Sequence, residues 1–205
     1  MATFGLTPCN RPPNVRLVIR LARAADAPAI HAIYAPIVRD TPISFEWEVP
    51  SVGEMARRMA KVLETRPWLV YEEAGEVIGY VYASTFRDRI AYQWGTEVTV
   101  YLHEAARGRG LAPRLYAALF DVLRLQGYCT AVAGATMPNP ASERLHLKLG
   151  FTEFGRYPAA GYKFGEWYDV VFWYLRLRPL PERPPELRSI HEIIGTREFN
   201  DAIKK

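Results

Sequence analysis

Midway along the chain, the run RGRGLAPRLYAALFDVLRLQG (residues 107–127) sets two glycines among arginines directly before an amphipathic helix. Leu111, Leu115, Ala118, Leu119, Val122 and Leu123 recur at helical spacing, which predicts a helix from about Gly110 to Gln126 with one apolar stripe. A helix N-terminus already carries about half a positive charge on its unpaired N–H groups. Arginines stacked there are electrostatically unfavourable unless an anion arrives, and glycines leave the N–H groups sterically bare. The extended run YQWGTEVTVYL (92–102) precedes this turn and the short apolar run YCTAVAGAT follows it. Strand, bare turn, helix and strand together fix an α/β unit whose turn suits a pyrophosphate. The turn is no P-loop, because no G-K-[ST] ends it, and the G-x-G-x-x-G spacing of a dinucleotide fold also fails.

The surrounding pattern supplies the rest of one domain over residues 15–178. VRLVIRLA (15–22) reads as a strand, and DAPAIHAIYAPIV as a helix with Asp26 as N-cap and Ile30, Ile33, Tyr34 and Ile37 on one face. Pro36 is expected to kink that helix or end it early. SVGE (51–54) matches a capping box opening a helix to about Glu64. PWLVYEEAGEVIGYVYAS is a hairpin signal, and NPASERLHLKLG a capped helix closed by Gly150. Two more strands around a Gly-rich turn complete the order β-α-α-β-β-β-α-β-α-β-β. Residues 1–14 are expected to be disordered. Residues 179–205 form a proline-rich tail with a weakly helical end, either packed on a partner or mobile.

With 26 Lys and Arg against 22 Asp and Glu, the charge is mildly positive and dispersed, which disfavours a nucleic-acid binder. Cys9 and Cys129 are far apart, so neither a disulfide framework nor a metal site is expected. The N-terminus lacks an apolar signal core and the chain lacks an 18-residue apolar run, so no membrane span is expected and the cytoplasm is the default compartment.

RGRGLA (107–112) matches the R/Q-x-x-G-x-G/A signature of the GCN5-related N-acetyltransferases (GNATs), with Ala112 at its last position. IRLARAADAPAIHAIY, SFEWEVP, NPASERLHLKLGF and AAGYKFGEWYDVVFWYL extend the likeness across residues 16–178, and the whole resembles the phosphinothricin and methionine sulfoximine acetyltransferase branch. That resemblance implies a central mixed, largely antiparallel sheet flanked by helices, with splayed strands forming an acetyl-CoA cleft and no metal. Arg107, Gly108, Arg109, Gly110, Leu111 and Ala112 would cradle the pyrophosphate, with Arg114 nearby. Asn139 and Ser142 would bond other parts of the cofactor, although Asn139 before a proline is equally a helix cap. Val98, Thr99 and Val100 would present backbone N–H groups to the acetyl carbonyl, provided their strand splays from AVAGAT.

Acetylating an amine needs a base, because an α-amino group is largely protonated at neutral pH. Glu97 shares a strand face with Thr99 and Tyr101, near aromatic residues that would raise its pKa. It either pairs with an arginine or, as the resemblance implies, serves as the base. His146 stands where GNATs commonly carry an acidic tyrosine, so it either packs or donates to the leaving thiolate. Phe45, Arg87, Tyr92 and Lys163 are candidates for holding an amino acid acceptor, whereas Arg89 reads as a surface charge. Trp94, Trp167 and Trp173 read as core. The resemblance also implies a homodimer, with the edge around AAGYKFGEWYDV as its place. Acetylation of another small amine and a non-catalytic acyl-CoA-binding module are the alternatives.

Overall fold

The computed structural model describes residues 17–205, so the segment expected to be disordered, 1–14, lies outside the described residues, as does Cys9. Seven strands form one sheet: β1 (Leu17–Leu21), β2 (Trp68–Glu73), β3 (Glu76–Thr85), β4 (Gly95–Leu102), β5 (Thr130–Met137), β6 (Thr152–Lys163) and β7 (Glu166–Arg176). Their order is β1-β2-β3-β4-β5-β7-β6, and β4 against β5 is the parallel neighbour pair in an otherwise antiparallel sheet. The helices are α1 (Ala27–Asp40), α2 (Val52–Leu63), α3 (Leu111–Gln126), α4 (Pro140–Lys148) and α5 (Arg197–Ala202).

Strand alternation divides the core into two layers. Leu69, Tyr71, Val81, Ala83 and Val98 face α3, while Trp68, Val70 and Tyr80 face α1 and α2. Leu115, Leu119 and Leu123 of α3 are fully buried, each contributing about 1.5–3 kcal/mol of apolar burial. On the other face, the α1 stripe of Ile30, Ile33, Tyr34 and Ile37 is buried as its periodicity predicts.

Several local expectations need correction. Asp26 does not cap α1 with its side chain; it accepts from the Arg23 backbone and grips the Arg20 guanidinium bidentately at 2.7 and 2.8 Å. A charged partner across the chain outcompetes a backbone cap. Helix α1 also continues through Pro36 to Asp40, forgoing the N–H that the proline lacks. Ser51 does cap α2, accepting from Glu54 N–H at 3.1 Å, but the Glu54 carboxylate turns to Arg57 and Arg58. Strand β4 begins at Gly95, since residues 90–92 form a 3-10 turn instead of strand.

The segment after Arg178 packs on its own chain. Ile190, Ile193, Phe199 and Ala202 are buried around Val122 of α3. Gln126, fully buried at the end of α3, donates from Nε2 to the carbonyls of Thr65 and Arg188, tying this segment to the domain. Of the three tryptophans read as core, Trp173 is buried and Trp94 is half-buried, donating to the Pro185 carbonyl at 2.8 Å. Trp167 is 66% exposed at the outer end of the β6–β7 hairpin. Among the described residues no helix is long and apolar enough to cross a membrane.

Candidate active site

Strands β4 and β5 pair over three residues and then part. The last pair is Glu97 with Val132, yet β4 runs on to Leu102 and β5 to Met137. The fork so formed opens into a cavity of about 370 Å3. Val98–Leu102 form one wall, Gly134 and Ala135 the other, with the start of α3, one side of α4, Ile37 and Ile43 closing it. N–H groups of an antiparallel strand point alternately to either side, and His103 N–H reaches Ile78 on β3 at 2.9 Å. The N–H groups of Val98 and Val100 therefore aim into the fork, whereas that of Thr99 is turned to β3. Of the expected main-chain donors, Val98 and Val100 fit and Thr99 serves as wall.

At the other end of the cavity stands the glycine turn. Gly108 and Gly110 have φ of +71° and +72°, which side chains tolerate poorly, and a Cβ on either would meet nothing within 4 Å. Gly110 is the N-cap of α3, with neither a capping side chain nor an acidic residue in the first turn. The first N–H groups of α3 thus lack a side-chain acceptor and face the cavity beside Gly110. Leu111, buried in the core, and Ala112 both line the cavity. This arrangement fits a pyrophosphate on main-chain donors.

The arginines divide differently from the expectation. Arg107 lines the cavity. Arg109 makes two bonds to the Glu73 carboxylate, at 2.9 and 2.5 Å, and Arg114 donates to the Lys205 carbonyl at 2.6 Å while lying over the Tyr71 ring. Both guanidiniums brace the fold around the turn, because β2 and the C-terminal segment supply acceptors that the sequence does not reveal.

Glu97 sits at the apex of the fork, one residue before the cavity wall begins. Burial raises its pKa above the ordinary carboxylate value, and among the described residues no arginine or lysine forms an ion pair with it. Its charge adds to the burial that pushes up the hydroxyls of Tyr82 and Tyr116.

His146 is buried at 4% exposure, stacked on Trp173 at 5.2 Å and edge-on to Phe151. Burial lowers its pKa to about 4, so the ring is neutral at physiological pH. Its Nδ1 lies 3.2 Å from Ser142 Oγ and its Nε2 lies 3.4 Å from Tyr116 Oη. Ser142 thus serves His146, while its backbone N–H is capped by Asn139 Oδ1 at 3.1 Å. Asn139 is a helix cap and a cavity residue at once. Tyr116 lines the cavity and was not singled out by its sequence, where it looks like one more apolar position of α3. Its place one turn beyond the glycine signature is the available signal.

The acceptor candidates scatter. Arg87 and Tyr92 lie in separate hollows along residues 85–94, outside the forked cavity. Phe45 packs against Gly161. Lys163 is buried and donates to three main-chain carbonyls, so it has no access to a substrate. The polar group that sequence reasoning missed on this face is a network: Tyr34 Oη lies 2.8 Å from both Ser44 Oγ and Glu46 Oε1, and Arg58 donates to both Glu46 oxygens. Despite the opposing effect of burial, bonds from Arg58 and Tyr34 hold the Glu46 carboxyl below its ordinary pKa.

Comparison with known proteins agrees with this geometry. The sequence profile described as an acetyltransferase (GNAT) domain matches residues 19–172. A phosphinothricin N-acetyltransferase of Streptomyces viridochromogenes is 36% identical over 188 residues, covering 92% of this chain and 100% of that protein. An L-methionine sulfoximine/L-methionine sulfone acetyltransferase of Salmonella typhimurium is 38% identical over 162 residues, covering 78% of this chain and 95% of that protein. Among solved structures, a phosphinothricin acetyltransferase from Sinorhizobium meliloti in complex with AcCoA superposes with a TM-score of 0.77 at 36% identity, covering 83% of this chain and 94% of that one.

Proposed function

This chain belongs to the GNAT acetyltransferase family, and from that premise we propose that it transfers the acetyl group of acetyl-CoA to the α-amino group of a small glutamate-like amino acid of the phosphinothricin or methionine sulfoximine type. The observation that carries the reading is the half-buried Glu97, with no arginine or lysine in an ion pair with it among the described residues, at the point where β4 and β5 part. The pyrophosphate of acetyl-CoA rests on the N–H groups of residues 108–112, and its thioester lies along Val98–Val100. Glu97 accepts a proton from the acceptor ammonium, directly or through a water. The freed amine attacks the thioester carbonyl, whose developing negative charge meets the N–H groups of Val98 and Val100. Collapse expels the thiolate, which takes a proton from Tyr116, while the nitrogen releases its second proton to solvent and solvent restores the Tyr116 hydroxyl.

His146 and Tyr116 form the donor arm. With its proton on Nε2, His146 accepts from Ser142 at Nδ1 and donates to the Tyr116 oxygen, leaving the Tyr116 O–H to point into the cavity toward the leaving sulfur. A neutral histidine suits this role, since it orients the tyrosine without competing for the proton of the substrate amine. Around the acceptor, Ile37 and Ile43 provide wall. The enzyme is proposed to act in the cytoplasm as a homodimer through the β6–β7 edge, where Tyr157, Phe164 and Trp167 are exposed.

Thiol release from acetyl-CoA tests the reading with phosphinothricin, methionine sulfoximine, ordinary amino acids and polyamines as acceptors. Fast release with the glutamate analogues is expected. Release confined to other amines would retain the acetyltransferase and discard this acceptor class.

A further inference from the structure

Lys163 is almost wholly buried at 2% exposure, and its ammonium is spent on main-chain carbonyls: Val38 at 2.6 Å, Thr41 at 3.0 Å and Ser44 at 2.7 Å. Two of these acceptors lie in the 41–46 loop after α1, and the third is in the last turn of α1, which has no intrahelical partner for its final carbonyls. The lysine comes from the far end of the chain, more than a hundred residues away, at the tip of β6. Burying an ammonium is costly without full hydrogen bonding, and three carbonyls supply it.

A second contact joins the same two elements. Gly161 lies so close to the Phe45 ring that a Cβ there would stand 2.4 Å from ring carbon. A bulge in β6 between Tyr157 and Gly161, with Ala159 at φ +47° and its N–H held by Asp169 at 2.9 Å, sets the strand at that approach. The loop so clasped places Ile43 in the wall of the forked cavity, Ser44 on Tyr34, and Glu46 between Tyr34 and Arg58.

We propose that Lys163 is a positioning residue for the acceptor: with Gly161 it locks the 41–46 loop to the β6–β7 hairpin, so that the hairpin sets the acceptor wall of the cleft while the glycine turn sets the donor side independently. The kinetic consequence rests on the acetyl-transfer reading; the mechanical one does not.

Three variants separate the possibilities. Lys163→Met removes the clasp, Gly161→Ala pushes Phe45 away without leaving carbonyls unpaired, and Phe199→Ala weakens the distant C-terminal cluster as a control for lost stability. Hydrogen exchange of the amides in 38–47 is measured for each, together with acetyl-CoA affinity by calorimetry and KM for whichever acceptor the wild type acetylates. Both clasp variants should speed exchange in 38–47 and raise the acceptor KM about tenfold or more, a misplacement effect, while acetyl-CoA affinity stays within about twofold. Lys163→Arg should recover part of the loss, and Phe199→Ala should leave exchange in 38–47 and the acceptor KM as in the wild type. Unchanged exchange in both clasp variants, or acetyl-CoA affinity falling in step with acceptor KM, would overturn the proposal. Should Lys163→Met fail to fold, Gly161→Ala decides alone. Should the wild type acetylate no acceptor tested, the functional reading fails while the exchange result still judges the clasp.

Discussion

The two sides of the forked cleft are built in opposite ways. The side proposed for acetyl-CoA is lined largely by main chain: N–H groups of Val98 and Val100 on one strand, and of residues 108–112 in one turn leading into α3. Few side chains are asked to do anything there, and the requirements are local ones, a left-handed glycine and an uncapped helix start. The side proposed for the acceptor is held by contacts between segments far apart in sequence, Lys163 on the carbonyls of Val38, Thr41 and Ser44 and Phe45 against Gly161, with the shorter-range pair of Arg58 and Glu46 beside them. A cleft of this kind can keep one cosubstrate while changing the other, because the two halves share few residues. Glu97 and Tyr116 stand at the boundary, and they are where the comparison can be broken.

Replacing the proposed base should have the largest effect. Glu97→Gln is expected to lower kcat by about 10²–10⁴-fold, the usual range for removing a general base, with acetyl-CoA affinity nearly unchanged. The same substitution gives a stability test with a definite sign. Burial raises the pKa of Glu97, so its ionised form opposes folding at neutral pH and ceases to do so below the unfolded carboxylate value. Glu97→Gln should therefore melt higher than wild type at pH 7, with the gap shrinking as pH falls toward the unfolded carboxylate value, about 4.3, and absent below it. For the same reason, wild-type kcat should fall on the acid side at a higher pH than an ordinary carboxylate would give. A gap that does not close in thermal melts across pH would remove the carboxylate as its cause.

The glycine turn comes next. Gly110→Trp forces a side chain into a left-handed conformation, costing about 1–2 kcal/mol of stability, and sets an indole where the pyrophosphate is proposed to rest. Acetyl-CoA affinity by calorimetry should drop about tenfold or more, about 1.4 kcal/mol or more of binding, while exchange in 38–47 stays as in wild type. Faster exchange there would join the two halves of the cleft that the geometry keeps apart. Tyr116→Phe should be milder than Glu97→Gln, lowering kcat about 10²-fold with little change in either KM, the low end for loss of one acid–base group. Because His146 has a pKa of about 4, its titration should leave no limb in the kcat profile between pH 5 and 9.

How much of this was legible follows the same division. The element order, the α3 stripe, the cap by Ser51 and the closing Gly150 are visible because each depends on residues within one or two turns of one another. The bare glycine turn is visible for that reason too. Glu97 and His146 are proposed for catalysis from their place in a pattern, but their state is not legible there: a carboxylate without an ion pair among the described residues and a neutral ring follow from packing that only the assembled sheet creates. Lys163 was misread, because an isolated lysine in a Gly- and aromatic-rich turn looks like a ligand for an anion when its three carbonyl partners lie over a hundred residues earlier. Tyr116 was overlooked for the complementary reason, since an aromatic on a helix stripe is indistinguishable from core until a cavity is seen beside it. The C-terminal segment hid its packing behind prolines, with Ile190, Ile193 and Phe199 too widely spaced to declare a helix face.

The smallest effects should come from the arginines that first drew attention to the turn, and they test whether charge or main chain holds the phosphates. If the guanidiniums dominated, Arg107→Ala and Arg109→Ala would weaken acetyl-CoA binding alike, each with a lost salt dependence. The structure divides them: Arg107 lines the cavity, whereas Arg109 is committed to Glu73 on β2. An exposed cation at about a Debye length or less from a phosphate contributes little more than an exposed ion pair, about 0.2–1 kcal/mol, and salt screens it. Arg107→Ala should thus raise the acetyl-CoA dissociation constant about two- to fivefold in low salt and less at high salt. Arg109→Ala should change it less than about twofold at any ionic strength, since its partner is already a carboxylate. Equal losses in the two variants would mean that the Arg109–Glu73 pair opens when the cofactor arrives, and that the donor side is held by side chains after all.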